Sequence, residues 1–231
     1  FGNGFSINYN EVISTFYYPT RLKLSYGDGK EVLFSSTDNT INNEFLANDG
    51  SGDKLTKIYT NGLLSGYEIE TSSGEVKVYD DNGYLTKIYQ DINERVGGTW
   101  NNNANSVTLS YNANNKLIQV LDSYNNKIEL LYDTTTGKLV SASLYKRNEA
   151  NTSDILAIEI DYAYNGNNLV EISKTSFLNN DELTLNTNLL YNNLLSQITV
   201  NNRGYNISYV RLYGVAINEN ISKIAKDAAK Q

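Results

Sequence analysis

The fold of this sequence is decided by the stretch VKVYDDNGYLTKI, residues 76–88. The same order of residue types returns in VTLSYNANNKLIQV at 107–120 and in IELLYDTTTGKLVSA at 128–142. Each copy is a β-type run that ends in Tyr, followed by Asp or Asn, a short polar turn and a Leu, with an aliphatic residue three positions later. Three successive copies of one pattern indicate an internal repeat.

Each part of the pattern favours a β-hairpin. Apolar and polar residues alternate ahead of the turn, which places the apolar side chains on one face of a strand. The Asp or Asn after the Tyr is suited to accept a hydrogen bond from the backbone two residues later. Gly83 and Gly137, with Asn115 in their place in the second copy, suit a turn position that requires a positive φ. The sequence therefore predicts a hairpin at each copy.

One spacing does not fit an ideal strand. Leu85 and Ile88 are three positions apart, and strand residues at that spacing point to opposite faces. Either a β-bulge lies between them or Leu85 packs over the turn. The sequence leaves both explanations open.

The tandem Tyr-Asp pairs, the turn glycine and the Leu-x-x-Ile or Leu-x-x-Ala ending resemble the YD repeats of the Rhs family. That family includes bacterial polymorphic toxins and is related to the shells of insecticidal toxin complexes and to teneurins. The segment GNGFSINY at 2–9 is similar to the segment that opens the repeat region in many Rhs proteins, with Phe5 where Trp is common. The resemblance implies a segment of a hollow β-shell around a toxic or otherwise harmful polypeptide.

Two further copies of the pattern end their first strand at Tyr164 and Tyr191. The residues assigned to the repeat framework are Tyr79, Tyr111, Tyr132, Tyr164, Tyr191, Gly83, Gly137, Leu85, Leu117 and Leu139. The unequal spacing of the tyrosines favours loops of different lengths over a closed propeller with evenly recurring blades. A repeated Tyr favours a ladder of buried rings with hydroxyls reaching water or backbone, and the alternative is an exposed aromatic surface for glycans.

Composition narrows the classes of function. The chain is 40% hydrophobic and has 19 Tyr and a single Pro, which favours sheet over helix. A net charge of −7 disfavours nucleic acid as a partner. The sequence has no His and no Cys, so a Ser-His triad, imidazole or thiolate metal ligands and disulfides are excluded. No apolar run suits a signal peptide or a membrane span, and the chain is interpreted as a piece of a longer protein.

One loop has a partial resemblance to a calcium site. Asp49, Ser51 and Asp53 have the alternate spacing of the first ligands in an EF-hand loop. Lys54 stands where that loop requires Gly, and Thr60 stands where it requires a bidentate Glu. The pattern therefore favours a polar hairpin turn, with Asp49 and Asp53 retained as candidate metal ligands.

Two other features are candidates for binding or catalysis. Trp100, the only Trp, lies in a Gly- and Asn-rich stretch and is a candidate sugar-stacking platform, although a ring packed against the sheet is the favoured interpretation. Glu68 and Glu70 share a strand face and could form a glycosidase pair. Nothing apolar surrounds them in the sequence to raise the pKa of one carboxyl. We therefore predict no enzymatic activity, no cofactor and no established metal site.

The sequence predicts an all-β fold, an extended, strongly twisted antiparallel sheet of consecutive β-hairpins forming one module over residues 1–231. N-terminal hairpins occupy 1–74, the YD-type repeats occupy 75–210, and a C-terminal segment occupies 211–231. A short C-terminal helix, with a strand as the alternative, is predicted from the spacing of Ile221, Ile224, Ala225 and Ala228.

The predicted function is a structural segment of a secreted or surface-exposed bacterial Rhs/YD-repeat protein. Its partners are the other repeats of the same longer chain and an enclosed C-terminal toxin or effector domain, as the family resemblance implies. The alternative is a carbohydrate- or cell-surface-binding adhesin module that would use Trp100 and the tyrosines.

Overall fold

The structure is a computed structural model of the 231-residue chain. It describes residues 9–17, 20–36, 43–101, 104–148, 150, 152–178, 181–192, 194–200, 203–206, 210–212 and 215–217. The C-terminal helix predicted around Ile221 and Ala228 lies outside these residues.

Most of the described residues lie in strands, which are joined by turns, and Ile92–Glu94 form one short 3₁₀ turn. In chain order the strands are β1 (Val12–Tyr17), β2 (Arg21–Ser25), β3 (Glu31–Ser36), β4 (Glu44–Ala47), β5 (Lys54–Thr60), β6 (Leu63–Glu70), β7 (Val76–Tyr79), β8 (Leu85–Tyr89), β9 (Arg95–Val96), β10 (Thr99–Trp100), β11 (Ser106–Tyr111), β12 (Leu117–Asp122), β13 (Lys127–Tyr132), β14 (Leu139–Arg147), β15 (Asp154–Asn165), β16 (Asn168–Leu178), β17 (Asp181–Asn192), β18 (Leu194–Val200), β19 (Arg203–Asn206), β20 (Val210–Leu212) and β21 (Val215–Ile217). The predicted all-β fold is confirmed for this part of the chain.

The chain divides into two compact units. The N-terminal unit comprises Ser6–Glu129 and Lys146–Ile155, and the C-terminal unit comprises Phe1–Phe5, Leu130–Tyr145 and Leu156–Gln231. The predicted organisation as one module with internal bounds at 74 and 210 stays a prediction.

The N-terminal unit is a series of antiparallel neighbours. Each strand from β1 to β8 pairs with the next one in sequence. After that, β8 pairs with β11, β11 with β12, and β12 with β13. The two-residue strands β9 and β10 form a small hairpin inserted between β8 and β11. The predicted architecture of consecutive hairpins is therefore confirmed here.

One face of β1–β8 carries the main core of this unit. The strand registers place on that face the buried residues Ile13, Leu22, Leu24, Val32, Phe34, Phe45, Leu55, Ile69, Tyr67 and Tyr79. Complete burial of a Leu or Phe side chain contributes about 1.5–3 kcal/mol. We call this surface the inner face.

The sheet curls so that its first strand meets the hairpin formed by β7 and β8. The amide of Ile13 donates to the carbonyl of Gly83 at 2.8 Å, and Val12 forms an isolated antiparallel bridge with Tyr84. Strand β1 therefore contacts both β2 and the turn between β7 and β8.

The opposite, outer face is covered near β7 by the segment that contains β9 and β10. Val76, Tyr89 and Ala104 form a buried cluster, against which Ile92 and Trp100 pack. The β7–β8 hairpin is therefore covered on both of its faces.

In the C-terminal unit, β15, β16, β17, β18 and β19 pair antiparallel in chain order. Two side-chain hydrogen bonds join β16 to β17. The Ser173 hydroxyl donates to Oδ1 of Asn186 at 2.8 Å, and the Thr175 and Thr184 hydroxyls form a 3.1 Å hydrogen bond. Strands β20 and β21 form a separate hairpin.

Candidate functional site

We call the hairpin formed by β7, β8 and the turn between them the anchor hairpin. Tyr79 lies opposite Leu85, whereas Val78 lies opposite Lys87, so Thr86 is an extra residue in β8. This is a β-bulge, and it explains the three-residue spacing between Leu85 and the next aliphatic position. Of the two explanations that the sequence left open, the bulge is the one observed.

The same bulge recurs in other repeats. The register shifts directly before Tyr111, Tyr164 and Tyr191. Tyr111 lies opposite Leu117, and Tyr164 lies opposite Leu169. The geometry that recurs within the chain is therefore a tyrosine opposite a leucine, next to a β-bulge.

The carboxylate after the tyrosine organises the turn. Oδ1 of Asp80 accepts hydrogen bonds from the amides of Asn82 at 3.0 Å and Tyr84 at 2.8 Å. Asn112 does the same in the next repeat, with the amides of Asn114 at 2.9 Å and Lys116 at 3.1 Å. The short polar side chain thus satisfies backbone donors that the tight turn leaves without strand partners.

Asp133 makes a related set of contacts in the third copy. Its Oδ1 accepts from the amides of Thr135 and Thr136 and from the Thr136 hydroxyl. The hydrogen bonds from Thr136, chiefly that of its amide, lower the pKa of the Asp133 carboxyl. The positive φ values predicted for this turn position are observed at Gly83, Asn115 and Gly137.

The framework leucines are buried. Leu85, Leu117 and Leu139 are at most 6% exposed. Among the framework tyrosines, Tyr79 is buried, whereas Tyr111, Tyr132 and Tyr164 are half-buried. The side chain of Tyr191 lies outside the described residues.

Adjacent repeats are joined through a tyrosine hydroxyl. Tyr111 donates a 2.7 Å hydrogen bond to the backbone carbonyl of Leu85 in the anchor hairpin. Its ring lies 5.6 Å from that of Tyr84, centre to centre. Burial raises the pKa of Tyr111 above its ordinary value, so its hydroxyl keeps its proton, and can donate, at an alkaline pH at which an exposed tyrosine ionises.

Tyr79 has a different partner. Its hydroxyl donates to Oε2 of Glu11 at 2.8 Å. Nζ of Lys77 donates to both oxygens of the same carboxylate, at 2.8 and 3.1 Å. Burial, followed by the negative charge of Glu11, raises the pKa of Tyr79 well above its ordinary value. The Glu11–Lys77–Tyr79 cluster therefore holds a charge pair against the inner face.

Tyr26 completes the surroundings of this cluster. The Lys77 ammonium lies 5.6 Å from the centre of the Tyr26 ring, within the range of a cation–π contact. Burial and the charge of Glu11 raise the pKa of Tyr26 to about 12.

The candidate calcium loop is a hydrogen-bonded turn between β4 and β5. The Asp49 carboxylate accepts from the amide of Ser51 at 3.1 Å, and the Asp53 carboxylate accepts from the amide of Ser72 at 3.0 Å. The hydrogen bonds from Ser51 lower the pKa of Asp49. Over the described ranges, no three acidic side chains are grouped closely enough to hold a metal ion.

Trp100 packs against the sheet. Its indole stacks on the ring of Tyr89 at 3.6 Å and 4°, and the guanidinium carbon of Arg95 lies over the indole at 5.4 Å. The flat surface that a sugar ring would require is therefore occupied by side chains of the protein itself.

The carboxylates considered as a glycosidase pair have separate surroundings. Oε1 of Glu68 accepts a 2.7 Å hydrogen bond from Nη1 of Arg95, whereas Glu70 is exposed. Glu68 thus fixes the loop that carries Trp100 onto the outer face.

In the part of the chain that the structure describes, no helix has the length and apolar character of a membrane span.

Reasoning from the sequence missed the contacts of Glu11, and it placed Asp122 at the start of a turn without assigning that turn to a repeat. Glu11 precedes β1 with nothing local to distinguish it, and its partners lie 66 and 68 residues away. Asp122 caps the β12–β13 turn by accepting from the amides of Tyr124 and Asn126, both at 2.8 Å. Its turn has Leu121 in place of the tyrosine, so a search for Tyr-Asp or Tyr-Asn pairs passes over it.

No protein-family model matches this chain, and no curated protein matches it. Among solved structures, that of TcdB2-TccC3 is similar over 91% of this chain and 15% of that chain, with 11% identity and a TM-score of 0.35. That of TcdB2-TccC3-Cdc42 covers 87% and 12%, with 12% identity and a TM-score of 0.36. The Tc holotoxin pore of Photorhabdus luminescens covers 81% and 12%, with 12% identity and a TM-score of 0.25. The chain thus spans 12–15% of the length of these Tc toxin chains.

Proposed function

We propose that this chain is a structural segment of a wall built from YD-type β-hairpins, and that it catalyses no reaction. In this proposal the wall belongs to a longer secreted or surface-exposed bacterial protein of the Rhs type. The wall encloses and presents a C-terminal toxin or effector domain. Its partners are that domain and the other repeats of the same chain.

The observation that carries the proposal is the hydrogen bond between successive repeats. The Tyr111 hydroxyl binds the Leu85 carbonyl at 2.7 Å, and β8 of the anchor hairpin pairs directly with β11 of the next repeat. The anchor hairpin is thus joined to the next repeat by strand pairing and by a side chain of the repeat pattern. A series of such contacts extends by adding units, which is the property that a wall requires.

The polar groups with the most constrained surroundings support a structural role. The Glu11 carboxylate is bound by Lys77 and Tyr79, and the Asp80 carboxylate is bound by turn amides. A general acid or base needs a free position at which a substrate atom can bind. These carboxylates are instead bound by groups of the fold itself.

The proposed enclosure is tested in the intact longer protein. Its C-terminal domain is digested with protease, and the rate is compared with that of the same domain separated from the repeats. We expect the enclosed domain to be digested at least about tenfold more slowly, because a protease reaches it only after the wall opens. Equal rates would show that the repeats do not enclose the domain.

The adhesin alternative receives no support from the position of Trp100. Because Tyr89 stacks on the indole, glycan binding there would require the loop to detach from the outer face. We expect no glycan binding that is lost in Trp100→Ala. Binding that disappears with this substitution, in a variant with unchanged circular dichroism, would restore the adhesin function.

A further inference from the structure

The tip of the β5–β6 hairpin extends beyond its neighbouring strands. Residues 58–63 are all exposed. Strand β4 pairs with β5 only as far as Thr56, and β7 pairs with β6 only from Tyr67 onward. In the described ranges, no third strand therefore pairs with the last two residue pairs of the hairpin, Tyr59–Leu64 and Thr60–Leu63. Because few contacts hold this tip, its local opening costs less free energy than opening of the core.

The turn at this tip is the pair Asn61–Gly62. Both residues have a positive φ, 53° and 80°, as a two-residue hairpin turn of this type requires. A Cβ atom added to Gly62 would meet nothing within 4 Å, so the space around its amide is open. Neither the Asn61 side chain nor the Gly62 amide forms a hydrogen bond with another described residue.

The Asn-Gly pair of the anchor hairpin has different surroundings. The Asn82 side chain donates to Oδ1 of Asp81 at 3.0 Å, and its backbone amide donates to Oδ1 of Asp80 at 3.0 Å. The Gly83 amide donates to the Asp80 carbonyl at 3.0 Å. A Cβ atom added to Gly83 would lie 2.1 Å from the Ile13 carbonyl oxygen. Movement of this turn would therefore break hydrogen bonds and displace β1.

A third pair, Asn165–Gly166, lies at the turn between β15 and β16. Asn165 belongs to β15 and is in register with Asn168. The Gly166 carbonyl accepts a hydrogen bond from Nζ of Lys138. This turn is exposed but has more contacts than the tip of the β5–β6 hairpin. The remaining Asn-Gly pair of the sequence, at positions 3 and 4, lies outside the described residues.

We propose that Asn61 is a site of spontaneous covalent modification, at which the side-chain amide is converted to aspartate and isoaspartate. The Gly62 amide nitrogen loses its proton to a solvent base and attacks Cγ of Asn61. The new N–Cγ bond closes a succinimide ring, the Cγ–Nδ2 bond breaks, and Nδ2 leaves as ammonia after taking a proton from water. Water then opens the ring at either carbonyl, which gives aspartate or isoaspartate. Glycine permits the attack because it has no side chain to prevent a close approach.

The modified tip differs from the original in charge and in the length of its backbone. Each conversion adds a negative charge beside the exposed Tyr59 and Leu63 side chains. Isoaspartate also adds an atom to the main chain, which a two-residue hairpin turn cannot accommodate without a change of register. We therefore expect the Thr60–Leu63 pair to separate in the isoaspartate form. The inference does not depend on the proposed wall function.

The test is incubation of the full chain at mildly alkaline pH, followed by trypsin digestion, chromatography and mass spectrometry. Trypsin places Asn61 and Asn82 on separate peptides, residues 58–77 and 78–87. In the folded chain we expect Asn61 to be converted at least about tenfold faster than Asn82, because its turn opens at the lower free energy. Conversion of Asn165 is expected to be slower than that of Asn61, and isoaspartate is expected among the products at Asn61.

Two controls separate the effect of the fold from the chemistry of the dipeptide. In the chain unfolded by guanidinium chloride, Asn61 and Asn82 lose their different surroundings, and their rates are expected to agree within about threefold. Gly62→Ala places a methyl group beside the attacking nitrogen and is expected to slow conversion of Asn61 at least about tenfold. A slower reaction in this variant cannot come from unfolding of the tip, which would accelerate it.

Three outcomes would overturn the proposal. Equal rates at Asn61 and Asn82 in the folded chain would show that the surroundings of the two turns do not control the reaction. Faster conversion at Asn165 than at Asn61 would assign the principal site to the β15–β16 turn. Aspartate without isoaspartate at Asn61 would exclude the succinimide. Each of these results would leave the wall proposal standing, and rapid digestion of the C-terminal domain would leave the modification site standing.

Discussion

Two adjacent hairpins of the N-terminal unit share a β-bulge beside a tyrosine. The β5–β6 hairpin and the anchor hairpin both have a register shift directly before a tyrosine, Tyr59 in the first and Tyr79 in the second. Both have a turn glycine with a positive φ, 80° at Gly62 and 87° at Gly83. Their turns differ: Asn61 and Gly62, both with a positive φ, link Thr60 to its partner Leu63 in the first, whereas residues 80–84 separate Tyr79 from its partner Leu85 in the second.

Their side chains have opposite surroundings. Tyr59 is 44% exposed, its cross-strand partner Leu64 is half-buried, and Leu63 at the tip of the first hairpin is 75% exposed, whereas Tyr79 and Leu85 are buried in the second. Strand β1 covers the anchor hairpin through the Ile13–Gly83 hydrogen bond. The local sequence therefore determines that a hairpin forms, whereas contact with a neighbouring strand determines whether its tyrosine and leucine are buried.

The largest expected difference between the two hairpins is in their leucines. Leu85→Ala is expected to lower the free energy of unfolding by about 2–5 kcal/mol, because it leaves a cavity in the core. Leu63→Ala is expected to change it by less than about 0.5 kcal/mol, because its side chain is largely in water. Urea denaturation measures both, and similar losses would contradict the assigned difference in burial.

The turn glycines provide the next comparison. Gly83→Ala is expected to cost more than about 2 kcal/mol, because the positive φ is unfavourable for Ala and the new methyl group meets the Ile13 carbonyl. Gly62→Ala carries the same backbone cost but places its methyl group in open space, for a loss of about 1 kcal/mol. Equal losses in urea denaturation would mean that β1 does not contact the anchor hairpin as described.

The residue after the tyrosine differs between the hairpins, Thr60 in one and Asp80 in the other. Asp80→Ala is expected to lose about 1–2 kcal/mol, since two turn amides lose their acceptor. Asp80→Asn is expected to lose less than half of that, because Asn112 makes the equivalent bonds in the next repeat. A full loss in Asp80→Asn would assign the effect to charge rather than to the turn geometry.

Stability is also expected to depend on alkaline pH. Burial raises the pKa of Tyr79, and burial also raises the pKa of Tyr67 and Tyr26. The unfolded chain loses these protons first, near pH 10, so the free energy of unfolding is constant below about pH 10 and falls as the pH rises further. Absorbance at 295 nm and denaturation midpoints between pH 8 and 12, values chosen to span that pKa, measure it. Tyr79→Phe is expected to flatten the decline, and an unchanged decline would place the responsible phenols elsewhere.

The local parts of this structure were predictable from the sequence. The hairpins, the positive φ values at Gly83 and Gly137, and the hydrogen bond from two residues beyond Asp80 all follow from residues a few positions apart. Such features depend on turn chemistry that each copy carries in full. The bulge at Thr86 was one of two explanations, and strand pairing decided between them.

The long-range parts were not predictable in the same way. Nothing near Glu11 indicates that its carboxylate binds Tyr79, because the pairing depends on how far the sheet curls between β1 and β7. Trp100 is similar: the sequence favoured packing against the sheet, but its stacking partner Tyr89 is set by the path of the β9–β10 segment. The residues of the candidate site that come from different hairpins are therefore the ones that required the structure.

If the proposed wall encloses a C-terminal domain, its protection depends on the stability of buried elements such as the anchor hairpin. This claim is tested most directly by the rate at which protease digests the C-terminal domain of the intact longer protein in the Leu85→Ala and Leu63→Ala variants. We predict faster digestion for Leu85→Ala than for the unsubstituted protein, and an unchanged rate for Leu63→Ala. Equal rates in all three proteins, with Leu85→Ala measurably destabilised, would contradict the claim.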